Sequence, residues 1–245
     1  MKSLTQIVRE DIEYFLRTNQ RLFFNERDVQ MHLALALKDT KHYDNVELEY
    51  YIPIGMFNNK YPWETETLYI DIVVCKDDEY CPIELKYKTQ QVPLQANTKF
   101  SRFGKVDKTI TAVFKDQQRG TDTRYDFWKD VRRIEVIKNN FPKVVAGFAV
   151  FLTNDELYTT RNGKKENGQS CNYEDFSMQE GKQNNDIMNW KGDTTDHPTI
   201  IMDSIYTINW KSSTLKYQTT GIDFHYCIVE VPPINPQQIQ SDTGC

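Results

Sequence analysis

Two carboxylates and an amine lie close together in the stretch from Leu68 to Lys88, LYIDIVVCKDDEYCPIELKYK. Both arms of this stretch are rich in Ile, Val and Tyr, which favour β-strands, and the acidic cluster between them is typical of a turn. With Asp77-Asp78 as a two-residue turn, Asp71 and Glu84 would lie directly opposite each other, their Cβ atoms roughly 4.5–5.5 Å apart. Lys86, two residues beyond Glu84, would point to the same side of the hairpin.

Facing carboxylates repel each other in a bare sheet, so this pair needs something to offset the repulsion. A divalent cation between Asp71 and Glu84 would do so, and Mg²⁺ prefers oxygen ligands. Alternatively, both acids lie at a solvated sheet edge with Lys86 as a surface counter-charge. The apolar runs IDIVV and IELKY around the two acids favour burial on at least one face, and the sequence therefore predicts a metal site.

Asp71, followed on the next strand by Glu84-Leu85-Lys86, resembles the core motif of the PD-(D/E)xK nuclease superfamily, which has the restriction-endonuclease-like fold. Ile70 stands where the motif usually has Pro, a departure that the superfamily tolerates. The resemblance implies that Asp71, Glu84 and the Leu85 carbonyl bind Mg²⁺ (or Mn²⁺). It also implies that Lys86 positions the attacking water and stabilises the charge that develops on the phosphate.

The same resemblance implies an acidic residue on a helix ahead of the hairpin, and Glu26 is the candidate. The segment FNERDVQMHLALAL predicts a helix with Asn25 as its N-cap, in which Glu26 shares the inward face of Val29 and Leu33. Glu26 would then hold a second metal or the water network. A Glu in the first turn can equally serve only as a partner of the helix dipole, and both interpretations stay open.

The order of predicted elements matches the α-β-β-β-α-β core that the resemblance implies. Helices are predicted at 4–18 and 124–139, and strands at 46–54 and 144–152, the last a continuous apolar run. We therefore expect an α/β fold with a central mixed sheet flanked by helices and extra C-terminal strands. The expected organisation is a restriction-endonuclease-like core at 1–152, a polar insertion or long loop at 153–198, C-terminal strands completing or extending the sheet at 199–231, and an irregular tail at 232–245.

Residues 86–133 carry twelve lysines and arginines against five aspartates, in a chain whose net charge is −5. A basic segment beside a carboxylate cluster fits binding of a phosphate backbone. The predicted nucleic-acid contacts are Lys88, Lys99, Arg102 and Lys105. The alternative is a solvated, charged helix surface.

The remaining features of the sequence argue against several other classes of enzyme and against a membrane protein. No G-x-S-x-G, G-x-x-x-x-G-K-[ST] or G-x-G-x-x-G motif occurs, and four histidines without paired spacing argue against a catalytic zinc site. The five cysteines are scattered and form no C-x-x-C pair, which favours reduced thiols in a cytoplasmic protein. No apolar stretch approaches the roughly 20 residues of a membrane span, so the sequence predicts a protein that does not enter a membrane. The sequence thus predicts a metal-dependent nuclease acting on DNA, as a possible homodimer or subunit of a larger complex. The alternative is an inactive nucleic-acid- or protein-binding module on the same fold.

Overall fold

The computed structural model of this chain describes residues 2–57, 63, 67–93, 100–107, 109, 112–114, 120–216 and 223–233. Its helices are α1 (Leu4–Thr18), α2 (Glu26–Asp39), α3 (Gly120–Asn140) and α4 (Leu157–Thr160), with a 3₁₀ helix at Ile54–Met56. Its strands are β1 (Asn45–Pro53), β2 (Thr67–Lys76), β3 (Glu79–Lys88), β4 (Val92–Pro93), β5 (Phe100–Arg102), β6 (Lys105–Asp107), β7 (Ala112–Phe114), β8 (Gly147–Thr153), β9 (Ile187–Met188), β10 (Ile200–Ile201), β11 (Trp210–Lys216) and β12 (Asp223–Val231).

Six of these strands form one mixed sheet in the order β1-β2-β3-β8-β12-β11. β3 and β8 run parallel, and the other neighbouring pairs of this sheet are antiparallel. Parallel strands need a crossover connection, usually a helix, and α3 is the helix between β3 and β8. The predicted α/β class with a mixed sheet flanked by helices is confirmed.

Helices α1 and α2 cover one face of the sheet, and both begin where the sequence predicts. Ser3 and Gln6 form a capping box at the start of α1, and the Asn25 side chain caps α2. The buried residues of α1 recur at helical spacing and include Leu4, Val8, Ile12, Phe15 and Leu16. They pack with residues of β2 and β3 in one core, where each fully buried side chain of this size contributes about 1.5–3 kcal/mol.

Helix α3 covers the opposite face and approaches β8 closely at Gly147. A Cβ atom on Gly147 would clash with Ile134 Cγ2 and lie 3.0 Å from the Pro82 carbonyl oxygen. Only glycine therefore permits this spacing, which brings α3 against β3 and β8. None of the helices in the ranges given above is long and apolar enough to cross a membrane.

Residues 153–198 contain little regular structure, yet they build a core of their own on the α3 side of the sheet. Tyr158, Tyr173, Phe176, Met178 and Met188 are buried there against α3 and β8. The buried Arg124 guanidinium carbon lies 4.3 Å from the ring centroid of Tyr158 and 4.7 Å from that of Tyr173. The polar composition of this segment conceals these residues because they are spaced irregularly among Asn, Gly and Lys.

Strands β11 and β12 extend the sheet beyond β8. The stretch predicted as C-terminal strands, 199–231, begins with only the two-residue strand Ile200–Ile201 before Trp210 begins β11. Ile208 exchanges backbone hydrogen bonds with Gly181 and Lys182 instead. Alternating burial of these residues against the 153–198 segment mimics the period of a sheet strand.

Candidate functional site

The hairpin formed by β2 and β3 has the register that its turn predicts. Ile72 pairs with Ile83, and the pairing continues in step to Lys76 opposite Glu79. Asp77 and Asp78 form the turn with φ of 50° and 64°, the left-handed backbone that a two-residue type I′ turn requires. The predicted register is confirmed over these five pairs.

The two strands separate beyond the Ile72–Ile83 pair. β3 continues alongside β8 as far as Lys88, while β2 remains paired with β1. The predicted direct pairing of Asp71 with Glu84 is therefore wrong, because the ladder between the strands ends one position before it. A gap in the ladder takes its place, and the Asp71 side chain bonds to the β3 backbone across that gap.

Two carboxylates accept hydrogen bonds from backbone amides on the open side of β3. Asp71 Oδ2 accepts from the Leu85 amide at 2.7 Å, and Glu26 Oε2 accepts from the Tyr87 amide at 2.8 Å. Residues two apart on a strand point their amides to the same side, so the two carboxylates bond where a neighbouring strand would otherwise pair. The structure thus brings Glu26, in the first turn of α2, to the same strand edge as Asp71.

Glu84 lies between the sheet and α3 and is 2 % exposed. Its Oε1 accepts a hydrogen bond from Arg133 Nη1 at 2.8 Å. Burial raises the pKa of Glu84 well above its ordinary value, and the charge of Arg133 opposes that rise. A buried carboxylate needs a partner cation, and α3 supplies one.

Lys86 also points toward α3, where its Nζ lies 2.5 Å from Asp130 Oδ2. Burial acts to lower the pKa of Lys86, but Asp130 and Glu26 outweigh it and the pKa is raised. The amine is therefore charged throughout the physiological range. Arg133 Nη1 donates to Asp130 Oδ1 at 3.0 Å as well, which joins both ion pairs into one network.

Asp130 and Arg133 belong to the candidate site but were not predicted from the sequence. There they are only two members of the charged segment 86–133. Their signal was helical spacing: Asp130 lies three residues after Phe127 and four before Ile134, both fully buried, so it had to share the inward face. An acid and a base three apart on that face need partners, and β3 provides Glu84 and Lys86.

Asp71 is partly buried, and its environment favours the protonated form more than water does. Burial raises the pKa of Asp71 to about 6, although Lys86 and the Leu85 amide act in the opposite direction. A carboxyl group with a pKa near neutrality can exchange its proton for a cation at physiological pH.

The bases predicted to contact nucleic acid are only partly within the described residues. Lys88 is half-buried at the end of β3, and Lys105 is exposed on β6. Lys99 and the side chain of Arg102 lie outside the described residues.

The positive excess of residues 86–133 is smaller at the surface than the sequence predicts. Lys86 and Arg133 are engaged in the network above, and Arg124 is buried between two tyrosine rings. Arg132 Nη1 lies 2.6 Å from Asp203 Oδ1 and 2.9 Å from Glu135 Oε2. These four bases neutralise acids or stack inside the fold, and so they are not free to bind phosphate.

Oxygen atoms beside this gap are of the type that hard divalent cations bind. Asp71 and Glu84 offer carboxylate oxygens, and the Leu85 carbonyl oxygen, 3.4 Å from Lys86 Nζ, is a third donor of the kind Mg²⁺ and Mn²⁺ bind. Within the part of the chain that the structure describes, no three His, Cys, Asp or Glu side chains lie close enough together to hold a metal ion. Any metal here would therefore use backbone oxygen and water besides the two acids.

Comparison of this chain with protein-family models, with curated proteins and with solved structures gave no match in any of the three.

Proposed function

We propose that this chain is a divalent-metal-dependent nuclease that hydrolyses phosphodiester bonds, with DNA as its substrate. The observation that carries the proposal is the gap in the ladder between β2 and β3, where Asp71 and Glu26 accept hydrogen bonds from the Leu85 and Tyr87 amides of β3. Glu84 and Lys86 project from the same strand at this point. Acids with raised pKa values beside a charged lysine are typical of catalytic sites.

Asp71, Glu84 and the Leu85 carbonyl would hold Mg²⁺ or Mn²⁺, with Glu26 as a further ligand or as the anchor of the surrounding water. When bound, such an ion polarises a phosphoryl oxygen and lowers the pKa of a water molecule toward neutrality. Because the pKa of Asp71 is about 6, cation binding would displace a proton from a fraction of the molecules at neutral pH.

Lys86 would act on the attacking water and on the phosphate. Its charged amine can donate a hydrogen bond to a water molecule and stabilise the negative charge that grows on a phosphoryl oxygen. Asp130, 2.5 Å from the amine, fixes its position and preserves its charge. Without this partner, burial would favour the neutral amine, which stabilises an anion less well.

The DNA would approach along the end of β3. Lys88 follows Lys86 by two residues on this strand, and the exposed Lys105 belongs to the β5–β6 ribbon. Lysines contact phosphate oxygens without reading sequence. The proposed interface also includes Lys99 and Arg102.

The proposal also covers the fold of the core, the cellular compartment and the oligomeric state. The order α2, β1, β2, β3, α3, β8 supports a restriction-endonuclease-like core within residues 1–152. The four cysteines in the described ranges are free, which agrees with a reducing compartment such as the cytoplasm. A homodimer or a larger complex would supply further DNA contacts to a chain whose net charge is −5.

A second candidate function is a catalytically inactive module that binds nucleic acid or protein. The observation that favours it is the Arg133 guanidinium, which already neutralises Glu84 and Asp130. Metal binding by Glu84 would have to compete with this internal cation.

A plasmid-nicking assay separates the two functions. The nuclease is expected to convert supercoiled plasmid to open-circular DNA with Mg²⁺ or Mn²⁺ and not with EDTA. Lys86→Ala should reduce the rate at least 100-fold, whereas the matched surface variant Lys76→Ala, at the far end of the hairpin, should cleave normally. Intact plasmid with the wild-type chain, at metal concentrations that saturate ordinary nucleases, would reject the proposed activity and leave the binding module.

A further inference from the structure

Strand β1 leaves the ladder at the residue opposite Asp71. Leu48 pairs with Ile72 and Tyr50 pairs with Ile70 at one offset, yet the intervening Glu49 does not pair with Asp71. The φ of Glu49 is 49°, in the left-handed region that residues other than glycine rarely adopt. Because the offset is the same on both sides, no residue has been inserted, and the distortion is a local rotation of the backbone.

The side chain of Gln30, on α2, bridges the gap. It is 6 % exposed, and its amide nitrogen donates to the Asp71 carbonyl oxygen at 2.7 Å and to Glu49 Oε1 at 3.1 Å. A helix side chain thus binds the backbone of Asp71. The same amide group fixes the side chain of the distorted residue opposite.

Strand β2 changes the face that it presents at Asp71. Ile72 packs in the core beneath α1 and α2, whereas Ile70 packs with Val73 in the cluster that includes Ile137 of α3. In a regular strand, Ile70 and Ile72 would share one face and Val73 the other. Asp71 therefore sits at a twist in β2.

We propose that Gln30 and Glu49 are positioning residues that hold this twist, so that Asp71 Oδ2 reaches the Leu85 amide. A strained backbone conformation persists only where surrounding contacts enforce it, and such positions cluster at functional sites. Neither side chain needs to touch the reacting atoms. The effect on catalysis rests on the proposed nuclease function, whereas the effect on the position of Asp71 does not.

Three variants test the proposal. Glu49→Gly relieves the left-handed backbone and removes the acceptor for Gln30, while Gln30→Met keeps the volume and removes the donor. Asp77→Gly is the matched control, since Asp77 also has positive φ (50°) but lies in the hairpin turn. Glu49→Gln, which retains an oxygen acceptor, should restore wild-type behaviour.

The first readout is hydrogen exchange of the Leu85 amide, followed by NMR, which requires no activity. Exchange of this amide should be at least tenfold faster in Glu49→Gly and Gln30→Met, and unchanged in Asp77→Gly and Glu49→Gln. Both glycine variants should keep or raise the Tm, by up to about 2–4 °C, so lost stability would not explain the faster exchange. An unchanged Leu85 amide in both Glu49→Gly and Gln30→Met overturns the positioning role.

The second readout is plasmid nicking with Mg²⁺. Glu49→Gly and Gln30→Met should lower kcat about tenfold with little change in KM, and Asp77→Gly should match the wild type. Should the wild type fail to nick DNA, the proposed function falls, and the Leu85 exchange still decides the positioning role. Should the wild type and Glu49→Gly nick equally fast, the catalytic consequence of the twist is refuted while the nuclease stands.

Discussion

Lys86 Nζ lies 2.5 Å from Asp130 Oδ2, and this contact ties β3 to α3 at the centre of the candidate site. Glu84 and Arg133 form the second pair of the same network. Two acids and two bases therefore balance in a region where Glu84 and Asp130 are each 2 % exposed. Removing one member leaves an unpaired buried charge, which is far more destabilising than loss of a surface ion pair.

Asp130→Asn should lower the free energy of unfolding by about 3 kcal/mol, because Lys86 loses its nearest carboxylate. It should also lower the pKa of Lys86, since Asp130 is the largest influence that raises it. The alkaline limb of the pH–rate profile would then move to lower pH. Urea denaturation and nicking rates between pH 6 and 10 measure both effects. The exposed Asp39 on α2 is the control: Asp39→Asn should leave stability within about 0.5 kcal/mol.

Arg133→Met should lower the free energy of unfolding by about 3 kcal/mol near pH 8, because Glu84 and Asp130 lose their shared cation. Since burial raises the pKa of Glu84, protonation should reduce the defect at low pH. Millimolar Mn²⁺ should raise the Tm of this variant more than that of the wild type, because the ion replaces the missing charge.

Arg132→Met is the matched control for that experiment. Arg132 pairs with Glu135 and Asp203, so its loss should also destabilise the chain, but Mn²⁺ should not restore stability. Equal Mn²⁺ responses of the two variants would show that the ion does not replace Arg133.

Asp71→Asn should stabilise the protein above pH 6. The pKa of Asp71 rises from 3.8 to about 6 on folding, so the folded state binds the proton more tightly. Ionisation of Asp71 therefore lowers the free energy of unfolding as the pH rises from about 4 to 6. The variant lacks this penalty and should be about 1–3 kcal/mol more stable at pH 7.5. Chemical denaturation at pH 4 and 7.5, without metal, provides the measurement, and a less stable variant at pH 7.5 would contradict it.

Gly147→Ala should lower the free energy of unfolding by about 1–3 kcal/mol, because the added methyl group would collide with Ile134 on α3. Moving α3 outward would also carry Arg133 away from Glu84, so nicking should slow as well. The double variant Gly147→Ala with Ile134→Leu removes the Cγ2 branch that meets the methyl group and keeps the side-chain volume. It should recover part of both losses; if the second substitution worsens both, the clash is not the cause.

Local signals in the sequence predicted much of the fold. Asn25 marked the start of α2, and Asp77-Asp78 set the register of the hairpin. Each of these signals acts within a few residues, through capping or turn geometry. The apolar run that became β8 was equally visible because a strand buried on both faces is apolar throughout.

Only part of the candidate site could be predicted from the sequence. The sequence placed Asp71, Glu84 and Lys86 together because they share a hairpin, but it could not show where β2 and β3 separate. That separation depends on β8 pairing with β3 some 65 residues later in the chain. Asp130 and Arg133 were not predicted as site residues for the same reason, because only the packing of α3 against the sheet joins them to Glu84.

The most direct test of the central claim is a crystal structure of the protein soaked in Mn²⁺, with anomalous diffraction to locate the ion. The account predicts an anomalous peak within about 2.5 Å of oxygens of both Asp71 and Glu84, with Arg133 displaced from Glu84, and no peak in an Asp71→Ala crystal. A fully soaked crystal without a peak at that position, in which Arg133 still bonds Glu84, would contradict it.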